Sequence, residues 1–176
     1  MSRNSLLILL VLVVFSLGCS KEEAELRLPE FEVPVVTGYH MRDEAAQPMG
    51  AIGLPNVKLG HPSGDWNCDY FISFFPNPAI NFGSIHMKSP NANHIKKVWI
   101  TRAVFRPPYA TPVIATDGMN NFIAGGFPLI QAETTDDRLF LNLTELPSGY
   151  YRLYVSVNGH LFYDNIVIDK NFIPYY

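Results

Sequence analysis

The residue types that could do chemistry are all present in this 176-residue chain, but their spacing does not assemble them. The histidines, His40, His61, His86, His94 and His160, are scattered. None is placed two or four positions from another, the spacings at which a strand or helix aims two imidazoles at one metal. No nucleophile elbow, zinc-protease motif or phosphate loop occurs. Asp136-Asp137 is the one adjacent acidic pair in the β-patterned region, and it reads as solvated turn carboxylates ahead of a strand. Asp117-Gly118-Met119-Asn120-Asn121 offers oxygen ligands without the spacing or closing Glu of a calcium loop, so it reads as a turn. Cys68, beside Asp69, has no activating base in view and reads as a small buried residue. We therefore expect no catalytic residues, no metal ligands and no cofactor, and a protein that is not an enzyme.

The residues that suit binding lie on strand patterns. Val98, Ile100 and Val104 share one phase of residues 95–105, with Lys97, Trp99 and Thr101 on the other. Tyr151, Leu153, Val155 and Val157 alternate with Tyr150, Arg152, Tyr154 and Ser156, and Leu139, Leu141 and Leu143 with Phe140, Asn142 and Thr144. Such alternation marks strands with one face on a core. Trp99, Tyr150, Arg152 and Tyr154 then fall opposite the core and form a candidate aromatic platform for a protein partner or a glycan. Asn158-Gly159 predicts a tight hairpin between 150–157 and 161–168. Asp164 breaks the phase of the last run, which predicts a bulge or an edge strand. Leu146, Gly149 and Tyr151 have the order of a tyrosine corner, with the phenol bonding backbone at the start of a sandwich strand. Phe172, Ile173, Tyr175 and Tyr176 follow the last strand, and this C-terminal edge is a second candidate contact surface.

Composition agrees with a β domain and limits the partners. The chain is 48% hydrophobic, which excludes disorder, and 13% aromatic with 14 Pro and 12 Gly. A net charge of −3 gives no electrostatic case for nucleic acid.

The N-terminus reads as an address. Arg3 precedes an unbroken apolar run, Leu6 to Phe15, closed by Ser16-Leu17-Gly18-Cys19. That is the build of a secretory signal, residues 1–18. It resembles a bacterial lipobox, with Ser16 and Leu17 in swapped order, and the resemblance implies lipid attachment at Cys19 and a membrane contact through that lipid. An ordinary signal peptide with a small-residue cleavage site is the alternative. Lipid on Cys19 leaves Cys68 alone; a free Cys19 leaves a Cys19–Cys68 disulfide open. The spacer Ser20-Lys21-Glu22-Glu23-Ala24-Glu25 is similar to the signal that sends Bacteroidota lipoproteins to the outer face of the outer membrane. Prolines interrupt residues 19–66, which read as a flexible tether, and residues 67–176 read as the domain.

Phe75-Pro76-Asn77-Pro78-Ala79 and the stretch Leu146-Pro147-Ser148-Gly149 to Asn158-Gly159 together resemble the opening and closing motifs of the type A sorting domain of the type IX secretion system. The resemblance covers residues 69–170 and implies an Ig-like antiparallel β-sandwich of about seven strands. The sequence departs from that family at Arg106-Pro107-Pro108, where a long insertion runs to Asp137. Two functions follow as expectations: a surface-anchored, non-enzymatic binding module, or a secretion-related module.

Cys19→Ala is expected to abolish detergent-phase partitioning and membrane retention. An unmodified Cys19 N-terminus in a mass spectrum of the mature protein would refute lipid attachment.

Overall fold

Period-2 patterning becomes strand wherever a second apolar face is available to pack against. In the computed structural model, which describes residues 33–60, 68–107 and 127–173, the strands are β1 (Val35–Val36), β2 (Gly38–Arg42), β3 (Pro48–Gly53), β4 (Phe71–Phe75), β5 (Phe82–Lys88), β6 (Lys96–Arg102), β7 (Val104–Phe105), β8 (Pro128–Thr134), β9 (Arg138–Asn142), β10 (Gly149–Val157) and β11 (His160–Ile168). The signal, Cys19 and the acidic spacer lie outside the described residues, as do Asp117 to Asn121 of the insertion.

Two antiparallel sheets face each other, β4-β5-β9 and β11-β10-β6-β8. Lettered A to G in chain order, the strands of these sheets read A-B-E against G-F-C-D. The chain therefore changes sheet between B and C, D and E, and E and F, the Greek-key connectivity of an Ig-like β-sandwich. Ile72, Phe74, Ile85, Met87 and Leu141 from the first sheet meet Val98, Ile100, Leu153, Val155 and Ile166 from the second in one core. A side chain at Gly83 would collide with the Phe74 ring, so the bare backbone of β5 is what seats that ring.

The last hairpin follows the sequence. Asn158 (φ 48°) and Gly159 (φ 76°) make the two-residue turn. Register runs unbroken from Gly149↔Ile168 to Val157↔His160, so β11 carries no bulge and is an edge of its sheet. The Tyr151 phenol is fully buried and donates to the Pro147 carbonyl at 2.6 Å, while the Leu146 amide donates to the Leu143 carbonyl at 3.0 Å. Burial pushes the Tyr151 phenol above its usual 10.0, against a smaller opposite pull from Arg102.

Residues 33–60 depart from the expectation of a tether. They fold onto the sandwich as part of one compact unit, Phe31–Tyr176. β1 pairs in parallel with β7, and β2 and β3 form a hairpin. Its turn is held by Asp43, whose carboxylate accepts from the Ala45 and Gln47 amides at 2.9 and 2.8 Å. The prolines sit where strands tolerate them, with Pro34 just before β1, Pro48 opening β3 and Pro55 after β3. This segment also seals one side of the sandwich. Lys58 and Tyr163 exchange backbone bonds of 2.9 Å along β11, and Leu59 accepts from the Ile72 amide of β4 at 2.8 Å. Asp169 and Ala79 bond across the end of β11 at 2.8 Å. The expected open C-terminal edge is thus corrected: β11 already has partners for its outer backbone. Ile173 is exposed beyond it, and Tyr175 and Tyr176 lie outside the described residues.

Asp164 explains why the segment docks. It lies on the core-facing phase of β11, between Phe162 and Ile166, and is fully buried. An unpaired carboxylate there would carry a heavy desolvation cost. Arg42 at the end of β2 reaches it at 2.8 Å, and the Phe74 and Asn165 amides donate to it at 3.3 and 2.9 Å. The same Arg42 nitrogen donates to the Phe74 carbonyl at 3.0 Å. Asn77 and Asn165 extend the network: Asn77 donates to the His40 and Asn165 carbonyls and accepts from the Val167 amide, and Asn165 donates to Gly38 and Asn56.

Arg42→Ala is expected to destabilise the fold by about 3–5 kcal/mol in chemical denaturation, the scale for stranding a buried charge. Arg42→Met combined with Asp164→Leu should recover most of that loss; an equal loss in the double variant would refute the pair as its cause. Tyr151→Phe should cost about 1 kcal/mol at neutral pH. Because the folded phenol titrates above the unfolded one, its contribution is complete below pH 10.0 and is lost as pH rises through the folded value. The gap between wild type and Tyr151→Phe should therefore narrow in alkaline denaturation series.

Candidate functional site

The four residues of the expected platform do share the outer face of the β11-β10-β6-β8 sheet, but they do not form one open surface. Trp99 stacks on Tyr154 across β6 and β10, with centroids 5.2 Å apart and planes 13° apart. Tyr154 meets Tyr163 of β11 at 6.1 Å, which completes a row across three strands. Tyr150 lies four residues away and joins a different group, stacked on Phe105 at 4.6 Å with Tyr39 at 6.4 Å. Burial, then the neighbouring Tyr150 and Asp169, raise the Tyr39 phenol above its usual value.

Arg152 and Tyr154 are only 3% and 5% exposed, which corrects their reading as contact residues. The Arg152 guanidinium donates to the Val35 carbonyl at 2.7 Å and to the Asn165 side chain at 3.1 Å, and lies 4.9 Å from the Tyr163 ring centroid. The physical reason is the docked N-terminal segment. Alternation reports which side of a strand a residue occupies; it does not report what another part of the chain lays over that side. Arg152 helps to hold that segment down.

The acid and base candidates are dispersed. No group of three or more His, Cys, Asp or Glu that could hold a metal occurs among the described residues. Asp137 pairs with the fully buried Lys96 at 3.1 Å, and Lys96 also donates to the Thr135 carbonyl at 2.7 Å. His160 and His86 pack against Tyr70 and Phe71. Cys68 is a half-buried free thiol.

The outer face of β4-β5-β9 is different. Phe71, Ser73 and Phe75 on β4, Phe82, Ser84, His86 and Lys88 on β5, and Arg138, Phe140 and Asn142 on β9 all point away from the core, given the register Ser84↔Phe140 and Ser73↔His86. The outward residues of β4 are buried, whereas on β5 and β9 Phe82 is 66% and Phe140 74% exposed. The pairing of Phe82 with Asn142 sets the two rings diagonally across β5 and β9, about 7–8 Å apart at the backbone. The Arg138 guanidinium lies 5.3 Å from the Phe75 ring centroid and 6.0 Å from that of Phe140. None of the outward residues of these three strands is acidic. This arrangement can bury two aromatic rings against an apolar surface while Arg138 meets a carboxylate at its margin. One signal for it was visible in the sequence: Phe140 stands on the polar phase of the Leu139-Leu141-Leu143 strand.

No protein-family model and no curated protein matches this chain. Among solved structures it is similar to a DUF3244-family protein from Bacteroides vulgatus, described as having an immunoglobulin-like β-sandwich fold. The two are 14% identical over 64% of this chain and 99% of that one, with a TM-score of 0.38.

Proposed function

We propose that this chain is a non-enzymatic interaction module, anchored through lipid on Cys19 at the outer membrane surface, that holds a partner protein on the outer side of β5 and β9. The observation that carries the reading is the exposed pair Phe82 and Phe140 beside Arg138. Large aromatic side chains are the usual energetic anchors of protein interfaces, and two of them exposed together on a rigid sheet suit that use. Arg138 beside the rings favours a partner surface that is apolar at its centre and carries a carboxylate at its edge. The acidic spacer Ser20-Lys21-Glu22-Glu23-Ala24-Glu25 supports a domain held off the membrane.

Phe82→Ser and Phe140→Ser are expected to leave the melting temperature of the domain within a few degrees, because both rings are already in water. Each should weaken a chemically crosslinked outer-membrane partner by about tenfold or more, the effect of a hot-spot residue. Unchanged partner recovery with both substitutions, or binding on a glycan array that survives them, would overturn the assignment of this face.

A further inference from the structure

The edges of the sheets are not treated alike. β11 and the outer side of β4 are covered by residues 58, 59 and 79. β8 carries Glu133, paired with Lys97 of β6, and β9 opens on Arg138. Charges on an edge strand discourage pairing with another chain. β3, Pro-Met-Gly-Ala-Ile-Gly, has no charge, is exposed along its whole length, and among the described residues pairs with β2 alone, with a register shift at its start. Met49, Ile52 and the following Leu54 are 55%, 42% and 63% exposed. The hairpin is nevertheless not loose, since β2 is fixed through Arg42, Asn77 and Asn165.

Backbone direction can be read from the register. The Leu54 amide donates to the Thr37 carbonyl at 3.2 Å, and the pairing continues as Tyr39↔Ile52 and Met41↔Gly50. In an antiparallel ladder, hydrogen-bonded pairs recur at every second position. Ala51, between Gly50 and Ile52, therefore directs its N–H and C=O to the open side.

We propose that this edge pairs with a second copy of itself, β3 against β3, about a two-fold axis at Ala51. Self-pairing sets like residues near like, so it suits a strand without charge. It also suits the order of sizes in this strand. With Ala51 opposite Ala51, Ile52 faces Gly50 of the other copy, while Met49 lies at the register shift between Met41↔Gly50 and Arg42↔Pro48, outside the regular pairing. The large Ile52 side chain thus meets a residue that has none. The two Ala51 residues exchange both of their outward backbone bonds, as the parity requires. The result is a continuous four-stranded sheet, β2-β3 with β3-β2 of the other copy. This surface is separate from the Phe82–Phe140 face, so either assignment stands or falls without the other.

The full-length chain in its own membranes provides the test. In a Cys68→Ser background, Ala51→Cys places the two sulfurs across the axis, where backbone separations of about 5.5 Å fall within disulfide range. Mild oxidation is expected to give a reducible band of twice the mass. Glu44→Cys, in the turn of the same hairpin and far from the axis, should not. The Cys68→Ser chain alone accounts for any contribution of Cys19. In sedimentation of the detergent-solubilised chain, the wild type should be dimeric and Ala51→Lys, with an unchanged melting temperature, monomeric. Equal crosslinking at Ala51 and Glu44, a monomeric wild type, or an Ala51→Lys chain that remains dimeric would each overturn the proposal.

Discussion

A single buried carboxylate organises how this chain folds back on itself. Asp164 occupies a core position of β11, and its charge is tolerable only with the guanidinium of Arg42, which is separated from it by most of the domain's sequence. A buried pair of this kind adds little net stability compared with an apolar core, but leaving one partner alone is costly. That asymmetry makes it a device for specifying position. It ties the end of β2 to one place on the sandwich, and the Asn77 and Asn165 side chains fix the neighbouring backbone around it.

The position of β2 then decides which surfaces remain. The segment around β1 and β2 lies over part of the β11-β10-β6-β8 sheet, where Arg152 and Asn56 hold it through the Val35 carbonyl. The aromatic row of Trp99, Tyr154 and Tyr163 is thereby half converted into interior. The same segment closes the gap beside β4 and β11, which removes two edges that would otherwise be open to other chains. Among the described residues, the outer side of β5 and β9 and the far edge of the β2–β3 hairpin stay accessible. These have different characters: one is aromatic and cationic, the other apolar, uncharged and rich in free backbone groups.

Several elements were legible in the sequence because their causes are local. The type of turn at Asn158-Gly159, the Tyr151 corner after Pro147, and the phases of β6, β9 and β10 all follow from backbone preference and two-residue alternation. Asp164 was visible as an irregularity, and the expected edge position was correct while the bulge was not. Its real explanation, Arg42, was out of reach because nothing in the spacing of two residues so far apart indicates contact. The prolines of residues 33–60 suggested a spacer for a related reason. Proline excludes a central strand, but it leaves edge strands and strand starts available, and those are what this segment uses.

The sequence by itself therefore determined the fold class, the last hairpin and the inward or outward phase of each strong strand, since these depend on neighbours along the chain. Only the tertiary structure decided which outward face is covered. That outcome depends on a long-range pairing of buried polar groups, and a residue such as Arg152 has the same local pattern whether it meets water or the Val35 carbonyl.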